Sequence, residues 1–391
     1  MGKLEISWPQ LNYLAIYGLW PVSVGGIRFR KVQWLWGRLI VTLTVMVIVL
    51  EIVNLHELLM ANEMDLNDFV ITMNDILYAT QSICILVNIL VYKKQFAIMM
   101  DELGEMLDHS QLLMKSYAEH VFTKKLRVCR FAFIAFLSGT LLMAHWGISP
   151  LLNRILYHRN TFVYHVWIPF DVEPWYIYFS VLTAQITIGV SWIMGQPMFA
   201  SLFISISEHL LGHFDVLRQG LETLDYSAPS ASQEVNRYFE YHQKILKVGY
   251  ILRSATKLVF LSQFLCVTSI MCLNLYEITY VDVETSRFLN MVEYTLLELL
   301  IIALYCSYCN ELTLRGSEIM SSAYFSGWES ASIQDRKSLW IFMTSTKAPL
   351  NYGGMVKMDW TTFVNILKTA FSFYNFLGAV RTSKEGQITN G

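Results

Sequence analysis

Residues 345–380 read STKAPLNYGGMVKMD, followed by WTTFVNILKTAFSFYNFLGAV. The second part, residues 360–380, is apolar along most of its length and carries a single charged side chain, Lys368. About 20 predominantly apolar residues are enough for a helix to cross the hydrocarbon core of a bilayer. The segment therefore predicts a membrane-spanning helix near the end of the chain.

Six more segments of similar length and character precede it. Hydrophobic residues make up 54% of the 391 residues and charged residues 15%, whereas soluble proteins average roughly 45–50% and about 25%. The sequence therefore predicts an all-α integral membrane protein with seven transmembrane helices, near 34–54, 70–92, 129–149, 175–206, 254–276, 287–309 and 360–380.

The connections between these helices differ in length. Three of them, 93–128, 207–253 and 310–359, are long, whereas the others are mostly short. Within the first, apolar residues such as Phe96 and Met99 recur at helical spacing. We therefore expect the long connections to be largely helical.

The helices and their connections also indicate the domain organisation. No repeat of fixed period occurs, so residues 1–391 are expected to form one domain. The fourth helix is longer than a bilayer requires, and we expect it to continue into water beyond Ile206. Residues 1–33 would form a cytoplasmic amino-terminal segment, and 207–253 and 310–359 a cytoplasmic helical anchor.

The Lys and Arg residues indicate the orientation. With a cytoplasmic amino terminus, twenty of them fall on the cytoplasmic side and five on the other side. The twenty are Lys3, Arg28, Arg30, Lys31, Lys93, Lys94, Lys115, Lys124, Lys125, Arg127, Arg218, Arg237, Lys244, Lys247, Arg253, Arg315, Arg336, Lys337, Lys347 and Lys357; the five are Arg154, Arg159, Arg287, Arg381 and Lys384. The positive-inside rule then predicts a cytoplasmic amino terminus and an extracellular carboxyl terminus.

Several functional classes are disfavoured by these features. G-protein-coupled receptors have the opposite orientation. The cysteines all fall in or beside predicted helices, which excludes an extracellular disulfide framework; they are Cys84, Cys129, Cys266, Cys272, Cys306 and Cys309. The net charge of −2, without a basic cluster, argues against nucleic acid as a partner.

Two short motifs have the spacing of metal or redox sites. His209 and His213 lie one helical turn apart and can share a metal, although a polar helix entering the cytoplasm is the commoner interpretation. Cys306 and Cys309 form a CxxC, but they stand at the end of a membrane helix, where small buried residues are the simpler reading. The chain contains no GxGxxG, GxxxxGK[ST] or HExxH motif. We therefore expect no enzyme activity, no catalytic residue, no metal and no cofactor.

The ending quoted above resembles the closing signature of insect odorant receptors. In that family, a Pro-Leu pair and a Gly-Gly pair lead by a short extended step into a final helix with Ile-Leu-Lys followed by aromatic and small polar residues. The matching residues here are Pro349, Leu350, Gly353, Gly354, Ile366, Leu367, Lys368, Ser372 and Phe373. The chain length, the predicted topology and an early Trp20-Pro21 pair extend a looser likeness over the whole sequence.

The resemblance implies the insect chemoreceptor fold and a role as the odorant-binding subunit of an odorant-gated, non-selective cation channel. Members of the family form tetramers with a pore lined by the last helix, and most assemble with a shared odorant co-receptor (Orco). This chain is similar to the odorant-tuning subunits, because the co-receptor has an extended second cytoplasmic loop and 207–253 is compact. The other implied partners are a small volatile organic ligand, permeant cations and the lipid bilayer. The implied location is the plasma membrane of sensory-neuron dendrites.

The last helix carries the predicted pore residues. Ser372, Asn375 or Phe376, and Ala379 share one narrow helical face. Such a face can border water or pack against a neighbouring helix through its small residues, and the spacing leaves both open. The family's gate corresponds to Phe376 and Val380, where an apolar ring closes a pore by dewetting.

The resemblance also implies a closed, mainly hydrophobic odorant cavity in the outer half of the helix bundle. The residues expected at that depth on the predicted helices would line the cavity. They are Asn74, Tyr78, Gly139, Leu142, Trp146, Phe179, Leu182, Thr183, Ile186, Tyr294 and Leu297. The absent side chain of Gly139 would leave space beside Trp146. For each aromatic residue, packing against lipid or the protein core is the alternative.

Charged side chains within the predicted spans include Asp75, Glu293, Glu298 and Lys368. Because charge is costly in a bilayer, we hypothesise that Lys368 reaches the cytoplasmic interface or pairs with Glu298.

Two other functions stay open. One is a gustatory-type homomeric ligand-gated channel. The other is a multi-pass transporter or an orphan multi-pass enzyme; the absence of paired broken helices disfavours the transporter.

Overall fold

The computed structural model describes residues 8–16, 27–60, 66–142, 145–163, 168, 171–229, 231–280, 285–346 and 350–389. Within these ranges all regular secondary structure is helical. The elements are α1 (Pro9–Ile16), α2 (Ile27–Met60), α3 (Leu66–Leu142), α4 (His145–Tyr157), α5 (Trp175–Glu222), α6 (Ala231–Tyr280), α7 (Thr285–Tyr324), a 3₁₀ turn (Trp328–Ser330), α8 (Ile333–Ser345) and α9 (Trp360–Thr389). The prediction of an all-α fold is confirmed.

Five helices in the described part of the chain are long and apolar enough to cross a membrane: Trp34–Met60, Asn67–Gly139, Trp175–Glu222, Ala231–Thr279 and Phe288–Tyr324. The second of these lies in α3, whose 77 residues are interrupted by non-helical backbone at Met114. The predicted second and third spans lie on either side of Met114. The number of crossings and their orientation stay predictions.

Six of the seven predicted spans lie inside one helix each. The exception is 129–149, which covers the end of α3 and the start of α4, with 143–144 outside the described residues. The fourth helix continues beyond Ile206 as predicted, because α5 runs on to Glu222. This continuation is not surrounded by water, however, since Leu210, Phe214 and Leu217 are buried against neighbouring helices.

The long connections are helical because they bury apolar side chains at helical spacing. Phe96, Met99 and Leu103 on α3 are at most 1% exposed and belong to the largest hydrophobic core. At its centre the rings of Phe203 and Tyr305 meet edge to face with centroids 5.3 Å apart. This core joins α3, α5, α6 and α7 into one bundle.

The amino-terminal helix α1 is fastened to α5 through a buried amide. Gln10 Nε2 donates to Ser201 Oγ and Ser205 Oγ, both at 2.9 Å. The Trp8 ring lies 5.2 Å from the ring of His209. A short helix that cannot bury much apolar surface is therefore held by specific polar contacts.

The last helix begins at a defined cap. The Thr362 N–H donates to Asp359 Oδ1 at 2.8 Å, and Lys357 Nζ lies 3.0 Å from Asp359 Oδ2. An aspartate in this position satisfies a backbone donor that the first helical turn leaves without a partner. Asp359 therefore determines where α9 starts.

We expect Asp359→Ala to destabilise the start of α9 by about 1 kcal/mol, the usual cost of losing an N-cap. Asp359→Asn keeps a side-chain oxygen that accepts the same hydrogen bond, so it serves as the matched control. The check is the midpoint of thermal unfolding of the chain purified in detergent. Equal midpoints for the two variants would contradict the capping role.

The same cap has a defined pH dependence. Partial desolvation raises the pKa of Asp359, but hydrogen bonds from Thr362 and Lys357 outweigh it and hold the pKa below the usual 3.8. A lowered folded-state pKa stabilises the protein above the unfolded-state value, and this contribution is lost as pH falls through the folded-state value. The difference in stability between wild type and Asp359→Asn is therefore expected at any pH above the unfolded-state pKa, and it should vanish as pH falls below the folded-state pKa.

Candidate functional site

A buried polar cluster joins α3, α6 and α7 in the segments predicted as the outer half of the bundle. Asn74 Nδ2 donates to Asn274 Oδ1 at 2.6 Å and to Glu277 Oε2 at 3.2 Å. Asn274 Nδ2 in turn donates to Thr295 Oγ1 at 2.7 Å. Asn74, Asn274 and Glu277 are all nearly inaccessible. Three helices are therefore cross-linked by amide hydrogen bonds inside the apolar part of the chain.

Two aromatic side chains border this cluster. The rings of Tyr78 and Tyr294 meet edge to face with centroids 4.3 Å apart. The Tyr78 hydroxyl donates to Asn274 Oδ1 at 3.0 Å. Cys266 and Ile270 of α6 pack beside the pair. The arrangement offers aromatic surface with a small number of oriented polar groups, as small-molecule sites commonly do.

A second polar layer lies one turn further along α7. Glu298 is completely buried and accepts hydrogen bonds from Gln81 Nε2 at 3.1 Å, Gln196 Nε2 at 2.5 Å and Gln263 Nε2 at 3.0 Å. The Tyr294 hydroxyl donates to Gln196 Oε1 at 3.2 Å. Tyr294 therefore contacts both layers.

The structure brings only some of the predicted cavity residues together. It brings together Asn74, Tyr78 and Tyr294, and Leu297 packs at the edge of the main core. On α5, by contrast, Leu182 is buried. The roles of these residues in ligand binding stay predictions.

Two predicted cavity residues of α5 lie at the surface of the chain. Phe179 is 50% exposed, and Thr183 is also exposed, with its hydroxyl donating to the Phe179 carbonyl at 2.7 Å. Neither contacts the Tyr78–Tyr294 pair in any described interaction. Ile186 is half-buried beside Gly147 of α4, where an added Cβ would lie 3.2 Å from it.

The predicted residues of the third span are only partly described. A Cβ added to Gly139 would meet no atom within 4 Å, but the expected space beside Trp146 stays a prediction. The side chains of Leu142 and Trp146 lie outside those that the structure describes.

The last helix presents two different faces. Ile366 and Ala370 are each 1% exposed in the main core, and Tyr374 and Leu377 pack against a cluster formed by α3 and α6. The opposite face, which no other described part of the chain covers, carries Thr361, Asn365, Lys368, Ser372, Asn375, Phe376 and Ala379. Among the predicted pore residues, Val380 is half-buried.

The hypothesis that Lys368 pairs with Glu298 was wrong. In the described chain Glu298 is bound by the three glutamines, and Lys368 lies on the exposed face of α9. The two residues belong to different surfaces because α9 turns its apolar side, which includes Ile366, towards the bundle. Spacing along the sequence did not indicate this rotation.

The predicted metal-like and redox-like motifs lie in packed surroundings. His209 Nδ1 lies 2.8 Å from the Ser205 carbonyl oxygen, and His213 Nδ1 lies 2.7 Å from the Tyr241 hydroxyl. Cys306 and Cys309 are at most 1% exposed. Among the described residues, no group of three or more His, Cys, Asp and Glu side chains has an arrangement that holds a metal ion.

Sequence reasoning considered charged groups within the spans and missed the neutral amides. Gln81, Gln196, Gln263 and Asn274 each stand within an apolar stretch. A polar amide at membrane depth needs a partner, because no water is present to bind it. Treating these amides as sites that must pair would have indicated both polar layers.

The fold and these layers define an all-α membrane protein with polar contacts between its helices and an exposed polar face on its last helix. The chain belongs to the 7tm Odorant receptor family, whose family profile matches residues 67–371. This confirms the resemblance seen in the closing signature.

Curated relatives and solved structures agree with this assignment. Odorant receptor 85c of Drosophila melanogaster is 23% identical over 230 residues, which are 58% of this chain and 59% of the relative. Putative odorant receptor 69a, isoform A, of the same species is 20% identical over 67% of this chain and 68% of its own length. The chain thus matches about three fifths of the first relative's length and about two thirds of the second's.

The fold is similar to that of the insect olfactory receptor OR5 from Machilis hrabei. The structure of that receptor in complex with eugenol has a TM-score of 0.80 at 15% identity, covering 95% of this chain and 96% of the other. A second structure of the same receptor gives 0.81 at 16% identity, covering 94% and 96%. The chain therefore has the insect olfactory receptor fold.

Proposed function

We propose that this chain is the odorant-binding subunit of an odorant-gated, non-selective cation channel, and that it assembles with the odorant co-receptor in a tetramer at the plasma membrane of sensory dendrites. Family membership supports a receptor or channel. The observation that carries the channel proposal is the exposed face of α9. Its polar side chains would be costly against lipid, so this face is suited to water or to another subunit.

The proposed ligand is a small volatile molecule bound beside Tyr78 and Tyr294. Apolar surface from the two rings, Cys266 and Ile270 would supply most of the affinity, because burial of apolar area is the main favourable term. The Tyr78 hydroxyl, already directed at Asn274, would orient one polar atom of the ligand. The solved relative contains eugenol, an aromatic compound, and this chain offers aromatic contacts of its own.

A direct path connects the proposed ligand site to the proposed pore. Asn274 lies on α6 between Leu273 and Tyr276, which form the cluster that Tyr374 and Leu377 of α9 pack against. A ligand that changes the Tyr78–Asn274 contact therefore acts on a helix that α9 touches directly. Such differential contact is what a ligand needs in order to shift a conformational equilibrium.

The proposed function is tested by expressing the chain in oocytes, alone and with the odorant co-receptor, and applying volatile aromatics, esters and ketones. Odorant-evoked cation current only in the presence of the co-receptor is the expected result. Current from the chain alone would indicate a homomeric channel instead. Absence of current under both conditions, with the chain at the cell surface, would contradict the channel proposal.

We expect Tyr294→Ala to raise the odorant concentration for half-maximal current by about tenfold or more. The substitution removes an aromatic pair worth about 0.5–1.5 kcal/mol beyond its buried area, and each 1.4 kcal/mol or so corresponds to a factor of ten. The measurement is a concentration–response curve at matched surface expression.

Two further variants make this result specific. Tyr294→Phe keeps the ring and removes only the hydroxyl that donates to Gln196, so a smaller shift is expected. Tyr176→Ala removes a tyrosine that is 72% exposed on α5 and should leave the curve unchanged. An unshifted curve for Tyr294→Ala would place the ligand elsewhere.

A further inference from the structure

Glu298 is a completely buried carboxylate surrounded by neutral partners. Its oxygens accept hydrogen bonds from three glutamines on three different helices, Gln81 on α3, Gln196 on α5 and Gln263 on α6. None of the ion pairs in the described part of the chain includes Glu298. The surrounding donors solvate the carboxylate, but they leave its charge uncompensated.

The other ionisable groups nearby cannot supply a positive charge. They include the hydroxyls of Tyr78, Tyr294 and Tyr305 and the thiol of Cys266. An unpaired charge in a low-dielectric interior costs several kcal/mol even after relaxation of the protein. A cation at this position would remove that cost.

Two of the glutamines that bind Glu298 also carry oxygen atoms without a hydrogen-bond partner. Gln81 and Gln263 are both completely buried, and the Oε1 atom of each has no hydrogen-bond partner. Each amide nitrogen is about 3 Å from Glu298, so each unused oxygen belongs to an amide that already faces the carboxylate. Rotating an amide by half a turn exchanges its nitrogen and oxygen, which turns the oxygen towards the same centre.

We propose that Glu298, Gln81 and Gln263 bind one sodium ion between α3, α6 and α7. Carboxylate and amide oxygens are the ligands that hard cations prefer. One carboxylate balances one monovalent charge, whereas a divalent ion would leave a net positive charge in the same apolar surroundings. The ion would also connect α3, which carries Tyr78, with α7, on which Tyr294 lies one turn from Glu298.

The test measures thermal unfolding of the full chain, fluorescently tagged and purified in detergent in the assembly that it forms. Sodium chloride is compared with choline chloride at constant pH and ionic strength. Wild type is expected to show a saturable upward shift of the midpoint with sodium, because a ligand that binds only the folded state stabilises it. Glu298→Gln should lose this shift.

Glu293→Gln is the matched control, since it makes the same substitution on the same helix and should keep the sodium response. Gln263→Leu keeps the carboxylate and removes one proposed ligand. It is expected to need about tenfold more sodium for the half-maximal shift, equivalent to roughly 1.4 kcal/mol. This variant also provides the test should Glu298→Gln not fold.

Three outcomes would overturn the proposal. One is an identical wild-type midpoint in sodium and choline. Another is a full sodium response in Glu298→Gln. The third is a midpoint that varies with pH and not with sodium, because a proton would then neutralise the carboxylate.

Discussion

A chain carrying Gly353→Ala is expected to fold poorly and to be nearly absent from the cell surface. A Cβ added to Gly353 would lie 2.1 Å from the Val356 carbonyl oxygen and 2.6 Å from the Met358 backbone nitrogen. Both atoms belong to the backbone, so no side chain can move aside. We expect a loss of about 3–5 kcal/mol, in the range reserved for severe core and backbone disruption. Surface labelling and size-exclusion profiles in detergent measure it.

Gly104→Ala is the matched control. A Cβ there would meet no atom within 4 Å, and alanine in a helix interior is more stable than glycine by about 0.5–1 kcal/mol. This variant should therefore express at least as well as wild type. Normal surface levels of Gly353→Ala would show that the loop before α9 can rearrange, and that its tight turn does not determine how α9 is placed.

The second large effect is expected on the exposed face of α9. After Ser372→Cys, a cationic methanethiosulfonate reagent should reduce odorant-evoked current by tenfold or more. Like charges about 4 Å apart repel by about 4 kcal/mol at an effective dielectric constant of about 20, and roughly 1.4 kcal/mol suffices for a factor of ten. A fixed positive charge beside the permeation path would therefore exclude cations. The measurement is current before and after the reagent.

Phe373→Cys provides the comparison for this experiment. Phe373 is 54% exposed, but it points about a quarter-turn away from Ser372 around the helix. The native cysteines are buried or half-buried in the described chain, so they offer little background reaction. Equal loss of current at both positions, or none at Ser372→Cys, would reject the assignment of this face to the pore.

The positions of the helices could be predicted from the sequence, because each helix depends on a local property of the chain. A run of apolar residues predicts a crossing whatever its neighbours are, and α5 and α7 contain their predicted spans completely. The family followed from the closing signature, whose Gly353 is required by a backbone approach that no other residue tolerates. These features are encoded within a few consecutive residues.

The sequence did not indicate which face each helix turns towards the bundle, because that depends on the helices it packs against. Lys368 and Glu298 have compatible charges, but α9 buries Ile366 and leaves Lys368 exposed. Gln81, Gln196 and Gln263 come together from distant parts of the chain, and no spacing rule relates them. Phe179 is an aromatic residue of the kind that lines hydrophobic cavities, but α5 directs it towards the surface of the chain.

One consequence concerns how receptors of this kind diversify. The α6 segment from Leu273 to Tyr276 contacts the proposed ligand cluster through Asn274 and the last helix through its two neighbours. Under the proposed function, substitutions in this segment would change odorant preference and resting current together. Substitutions at Tyr294, whose hydroxyl donates to Gln196 on α5, touch only the first property, whereas Tyr78 bonds to Asn274 itself. Lineages that retune their odorants without becoming leaky should therefore vary α7 around Tyr294 and keep this part of α6 nearly constant.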